Sequence, residues 1–119
     1  MNRVEEYIAR GFDRRTAEYF ASGRKKIVSV TPGEGFTLIL DFDSGEKRRF
    51  DMNRIIENGT VFAFLSDPCN FARVYLDEDG CVSWDADPAV DSRVVWSNKV
   101  DLSPDTCYLD SKPIEVQDI

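Results

Sequence analysis

The stretch that decides the fold is "KIVSVTPGEGFTLILDFDSGEKRRFDM", residues 26–52. Apolar and polar residues alternate through it, the period of a half-buried strand rather than a helix. "KIVSV" reads as one strand ended by the turn "TPGEG", and "FTLILDF" and "EKRRFDM" read as two strands joined at "DSG". Parity sets the length of that connection. A two-residue Ser44-Gly45 loop would place Phe42 opposite Lys47 and Leu40 opposite Arg49. A three-residue Asp43-Ser44-Gly45 loop, with Gly45 in the left-handed bulge position, pairs Phe42 with Glu46 and Leu38 with Phe50. Leu38, Leu40, Phe42 and Phe50 then share one face, and Asp41 meets Lys47 on the other. The three-residue loop is expected, because a slip of one residue would turn the apolar set to water.

Upstream, the period lengthens. "VEEYIARGF" and "DRRTAEYFASG" predict two short helices, with Val4, Tyr7 and Ile8 on one face and Ala17, Phe20 and Ala21 on the other. Gly11 interrupts them, Asp13 caps the second, and Gly23 closes it. Neither is long enough to be stable alone, so each must lean on the sheet or on a second copy of the chain.

Downstream, "DMNRIIENG" predicts a short helix with Asp51 as N-cap and Gly59 past its end. "TVFAFLSDP" offers Val61, Phe62, Phe64 and Leu65 to the core, and Asp67-Pro68 starts another turn. "FARVYLD" and "CVSWDAD" form a second hairpin about Glu78-Asp79-Gly80. "RVVWSNKVDL" (93–102) is a further strand candidate, and "SPDTCYLD" a helix with Ser103 as N-cap and Pro104 at its first position. The tail "SKPIEVQDI" is expected to be frayed or strand-like. The fold class is therefore α+β: a small, mainly antiparallel sheet with short helices, preceded by an N-terminal helical hairpin. Residues 1–25 form a helical leader and residues 26–119 the α+β domain.

The totals bound the function. A chain of 119 residues, 42% hydrophobic and 31% charged, is one ordinary globular domain. No apolar run approaches the roughly 20 residues of a membrane helix, and "MNRVEEYIARGF" is too charged for a signal peptide, so a cytoplasmic protein is expected. Cys69, Cys81 and Cys107 are widely spaced and the chain has no histidine, so neither a disulfide framework nor a zinc site is legible. Without histidine, an activated serine or cysteine nucleophile lacks its usual base. Residues 1–54 carry 11 Lys+Arg against 9 Asp+Glu, and residues 55–119 carry 4 against 13. That acidity argues against a broad nucleic-acid-binding face. Only the leader, with Arg10, Arg14, Arg15, Arg24, Lys25 and Lys26, gathers positive charge.

"WDADPAVDSRVVW" (84–96) sets Asp85, Asp87 and Asp91 between Trp84 and Trp96. Hard cations need several oxygens in a compact cage, and D-x-D is one beginning of such a cage. An EF-hand counted from Asp85 needs an oxygen ligand, glycine and glutamate where Ala89, Val90 and Trp96 stand, so that site is excluded. A turn fixed by Pro88 and closed by Asp91 and Ser92 is the simpler account.

Taken in order, "VSVTPGEGFTLILDFDSGEKRRFDM" (28–52), "NFARVYLDEDGCVSW" (70–84) and "NKVDLSPDTCY" (98–108) resemble the small bacterial family known as domain of unknown function 2442. The resemblance rests on Phe50-Asp51, Phe71 with Val74 and Asp77, Trp84, Asp101-Leu102, Pro104 and Tyr108. The leader 1–25 and the acidic insert "DADPAVDSRVVWS" (85–97) depart from the shorter members. The resemblance implies an antiparallel α+β domain with no established activity and no catalytic residues to carry over. Some relatives are joined to a helix-turn-helix domain and others sit beside small proteins in arrangements similar to toxin-antitoxin pairs; after the core, this chain leaves no room for such a domain before Ile119.

The functional expectation is a non-catalytic interaction module, antitoxin-like or regulatory, that docks a protein partner encoded by a neighbouring gene. The expected partner-binding surface is Trp84, Asp85, Asp87, Asp91, Trp96 and Asn98. No cofactor, resident metal or membrane partner is expected; homo-oligomerisation is. The rivals are divalent-cation binding or hydrolysis at Asp85, Asp87 and Asp91, and nucleic-acid binding through the leader.

Overall fold

The computed structural model describes residues 2–58 and 60–114. Two helices, α1 (Arg3–Ala9) and α2 (Arg14–Ala21), precede a meander of β1 (Ile27–Pro32), β2 (Thr37–Phe42) and β3 (Lys47–Asp51). Short helices α3 (Asn53–Glu57) and α4 (Pro68–Phe71) lead to a second sheet of β4 (Tyr75–Leu76), β5 (Val82–Asp85) and β6 (Lys99–Leu102). Helix α5 (Pro104–Leu109) follows, and β7 (Lys112–Pro113) returns to pair with β3. All strand pairs are antiparallel, and the sheet orders are β1-β2-β3-β7 and β4-β5-β6. The fold is α+β as expected. None of the described helices is long and apolar enough to cross a membrane.

The decisive hairpin has the register its parity requires. Leu38 faces Phe50 and Asp41 faces Lys47, while the Phe42 N–H donates to the Glu46 carbonyl at 2.9 Å. Gly45 takes φ +89°, the left-handed conformation that its bulge position demands. Leu38, Leu40, Phe42 and Phe50 are all buried, and Asp41 receives the Lys47 ammonium at 2.7 Å on the polar face. The same register turns Arg48 inward, opposite Leu40. Its guanidinium lies 4.3 Å from the centre of the Tyr108 ring and donates to the Ser111 hydroxyl and carbonyl at 2.7 and 2.8 Å. An arginine on an apolar face is thus provided with partners rather than left bare.

The outer edge of the first sheet is irregular. The register shifts between Ile27 and Ser29, which leaves Val28 as the extra, exposed residue of a bulge, and Pro32 ends the strand. At the β1–β2 turn, Phe36 has φ +59°, a costly conformation for a bulky residue. Two contacts hold it there: its carbonyl accepts from Met52 N–H at 3.0 Å, and its ring stands edge-on to Phe71 with centroids 5.4 Å apart.

Both sheets contribute to one core. Val82 and Trp84 of β5 join Leu38, Leu40, Phe42 and Phe50, with Met52, Leu65, Phe71 and Cys107 from the connections. The leader forms as its caps predict: Asp13 accepts from Thr16 N–H at 2.7 Å, and Gly23 follows with φ +95°. Its contacts differ from expectation. Ala17 and Tyr19 are the buried residues of α2, because that helix lies between two neighbours. Phe20 meets Tyr7 and Phe12 on the α1 side, whereas the Tyr19 hydroxyl donates to Asp105 at 2.6 Å and its ring packs 5.0 Å from Tyr108 on the α5 side.

Three local expectations change. Met52, not Asp51, occupies the N-cap of α3; Asp51 ends β3 and accepts from Asn53 N–H at 2.9 Å instead. Val61 is exposed instead of joining the core, where the 3-10 turn 63–66 buries Leu65, and Phe62 and Phe64 pack against it. The strand over 93–102 begins only at Lys99. Gly59 and residues 115–119 of the tail lie outside the described residues.

Candidate functional site: the 85–98 loop

The second hairpin, β4–β5, repeats the device of the first: Asp77 N–H donates to Cys81 carbonyl at 3.0 Å and Gly80 takes φ +78°. Strand β5 then pairs with β6 through Trp84–Val100 and Asp85–Lys99, and Ala86 N–H donates to Asn98 carbonyl at 2.8 Å. The acidic insert is therefore a long hairpin loop whose two ends are held together by a ladder.

Asn98 organises its interior. Its side-chain oxygen accepts from Asp87 N–H at 2.9 Å, and its amide donates to the Asp87 carbonyl, the Val90 carbonyl and the Ser92 hydroxyl at 3.1, 3.3 and 3.0 Å. Each carboxylate has a separate task. Asp85 accepts from the Tyr75 phenol at 2.8 Å and the Ser92 hydroxyl at 2.5 Å. Asp87 closes an Asx turn onto Ala89 N–H at 2.9 Å. Asp91 does the same for Arg93 N–H and binds its guanidinium, which holds the Asp91 carboxyl below the usual aspartate value. The Tyr75 phenol is pushed up to about 12, first by burial and then by its bond to Asp85.

The six residues singled out in the sequence thus separate. Trp84 is fully buried, and its indole N–H donates to the Phe71 carbonyl at 3.0 Å. Asn98 lies inside the loop it ties. Trp96 is 82% exposed and stands near the closing end of the loop, after the exposed Val94 and Val95. A groove of about 520 Å³ runs from Trp96 and Arg93 to Tyr75, Leu76, Glu78 and Lys99.

Arg93, Val94 and Val95 were missed as loop residues because β-branched residues favour strands. The signal that could have placed them is "DS" before and "SN" after, a pattern of local side-chain turns rather than of a ladder. The loop carboxylates do not converge on a common point. Asp77, Cys81 and Asp101 do bring ligand atoms within 4.8 Å of one another, but the Lys99 ammonium sits on Asp77 at 2.8 Å. Burial acts to raise the Asp77 carboxyl; the Lys99 ammonium and the Cys81 and Asp79 N–H groups outweigh it, so the carboxyl lies below its ordinary value. Burial, with the Asp77 and Asp101 charges, raises the Cys81 thiol, which disfavours the thiolate a metal would need.

Residues 27–113 match the family described as protein of unknown function (DUF2442). The chain belongs to that family. No curated protein and no solved structure is significantly similar to it. The DUF2442 match runs from the first residue of β1 to the last of β7, so both sheets and the loop lie inside it and the α1–α2 leader precedes it.

Proposed function

We propose that this DUF2442 protein is a non-catalytic interaction module, of antitoxin-like or regulatory kind, that docks a protein partner through the 85–98 loop. The observation that carries the reading is Trp96: a large apolar side chain left 82% exposed on a loop whose backbone is fixed by Asn98. A solvated tryptophan on a flexible loop would have to be ordered on binding. One on a pinned loop is already placed, which lowers that cost. Tryptophan and arginine are also the residue types enriched at binding hot spots, and Arg93 adjoins it.

The absence of histidine and the state of two thiols favour a non-catalytic role. Burial pushes Cys107 up to about 12 and raises Cys81, so neither is an activated nucleophile. Against the cation reading, Asp85, Asp87 and Asp91 are each engaged by a different donor. Against the nucleic-acid reading, Arg15 and Arg24 of the leader pair with Asp110 and Asp105. The product of the neighbouring gene should be retained by the immobilised chain and lost on Trp96→Ala. Unchanged retention by that variant would move the docking site elsewhere.

A further inference from the structure

The leader meets the rest of the molecule mainly through polar groups. No described leader residue belongs to the shared core or to the apolar residues packed against it. Helices α1 and α2 close on each other instead, through Tyr7, Phe12 and Phe20, whose ring centroids lie 5.5 to 5.9 Å apart. The chain enters the α+β domain at one clamp. Lys26 N–H donates to the Asp43 carboxylate at 3.0 Å, and the Lys26 carbonyl accepts from Asp43 N–H at 2.8 Å. The family match begins one residue later, at residue 27. Residues 22–25, between α2 and the clamp, form neither helix nor strand. Lys25 N–H still belongs to the leader side, donating to the Tyr19 hydroxyl at 3.0 Å.

What holds the leader down is gathered on α5. The Tyr19 hydroxyl donates to one oxygen of Asp105, and Arg24 lies 3.5 Å from the other. Arg15 donates to the Leu109 carbonyl at 2.6 Å and lies 3.5 Å from Asp110. The Arg24 side chain is 71% exposed, and those of Arg15 and Asp110 are more than half exposed. Ion pairs so placed contribute little each and are screened by salt. Helix α5 does not depend on them. Cys107 is buried in the shared core, and the Tyr108 hydroxyl donates to the Glu46 carboxylate from within the domain. We infer that the leader is a cap latched to α5 at Asp105. It opens as a unit about residues 22–25 while both sheets stay folded, and in opening it uncovers the Tyr108 ring. Partial openings of this kind need less free energy than unfolding the whole chain, because the core contacts survive them. Ionic strength, or a ligand that takes Asp105 or Tyr108 only in the open form, shifts the same equilibrium.

Amide hydrogen exchange of the full chain, read by NMR, tests this. Relative to their intrinsic rates, the α2 amides of residues 17–21 should exchange at least about a hundredfold faster than those of residues 38–42, and with one shared degree of protection. Raising salt from about 0.1 to about 1 M should speed the leader amides about threefold and leave the strand amides unchanged. Asp105→Ala should speed the leader about tenfold at low salt, shrink its salt response and leave residues 38–42 as protected as before. Arg24→Gln, at an exposed side chain, should act in the same direction by about threefold. Leader amides that exchange only together with the strands would overturn the inference, as would protection that grades from the helix ends, which is fraying. A salt response equal in both regions, or a leader left at the wild-type rate in Asp105→Ala, would overturn it too. So would loss of strand protection in Asp105→Ala joined to an unchanged leader in Arg24→Gln, since Asp105 would then serve the fold and not a latch.

Discussion

Trp84 and Trp96 lie twelve positions apart on the two sides of one hairpin loop, and the fold treats them oppositely. Trp84 points from the middle strand of the second sheet into the shared core, against Phe71 and Phe62, with its N–H bonded. Trp96 stands in a short 3-10 turn just before β6, with its side chain in solvent. The difference is one of neighbours: β5 has a strand on each side, whereas residues 87–97 lie in no strand and are held by side chains, those of Asn98, Asp85, Asp87 and Asp91. Residue type alone therefore says little about which tryptophan holds the fold and which is left in solvent.

The contrast can be broken by substitution. Trp84→Ala should have the largest effect, about 3–5 kcal/mol of lost stability by urea denaturation, since it opens a large cavity and strands the Phe71 carbonyl. A loss no greater than that of Trp96→Ala would show that the burial contrast is wrong. Asn98→Ala should cost about 2 kcal/mol, because several backbone groups of the loop lose their partner at once. Hydrogen exchange should then speed up at Asp87 while Val82 and Trp84 stay protected; uniform protection would mean that the loop has another anchor.

Asp77→Asn comes next, at about 1–2 kcal/mol near neutral pH, because the substitution removes one member of a largely buried ion pair. Its pH signature has a definite sign. The Asp77 carboxyl is depressed in the folded state, so its contribution is present above the ordinary aspartate value of about 4 and is lost as pH falls through the lower folded value. Wild type and variant should begin to converge as pH drops below about 4 and meet only once it is below the depressed folded value; parallel curves would remove the ion pair from the account. Trp96→Ala should be smallest, within about 0.5 kcal/mol of wild type, as for a surface site. A larger loss would mean that Trp96 belongs to the fold and not to recognition.

The first hairpin was legible because its information is local. Alternation from Phe36 to Phe50 and the D-S-G loop admit one register that keeps Leu38, Leu40 and Phe42 together, and that register is found. The helix caps at Asp13, Asp67 and Ser103 are local in the same sense. What failed depends on depth and distance. Val94, Val95 and Trp96 have strand propensity but no partner strand and no face to bury, so the propensity is overridden. That Trp84 meets Phe71 and that Asn98 turns inward are tertiary facts with no trace in the spacing around them. The acidic insert was legible as a segment, but the depth of the six residues singled out in it was not.

The kink at Val28 and the proline at position 32 have a consequence for how this protein can associate. A chain that ended its sheet on a straight, fully bonded ribbon could recruit identical molecules backbone to backbone and grow without limit. Here that route is interrupted at one extra residue and again at a ring nitrogen that carries no hydrogen. Self-association along this border must then run through side chains, whose fit is finite and whose strength responds to salt and to single substitutions. Such a molecule can be abundant in a crowded compartment without seeding fibres from that border.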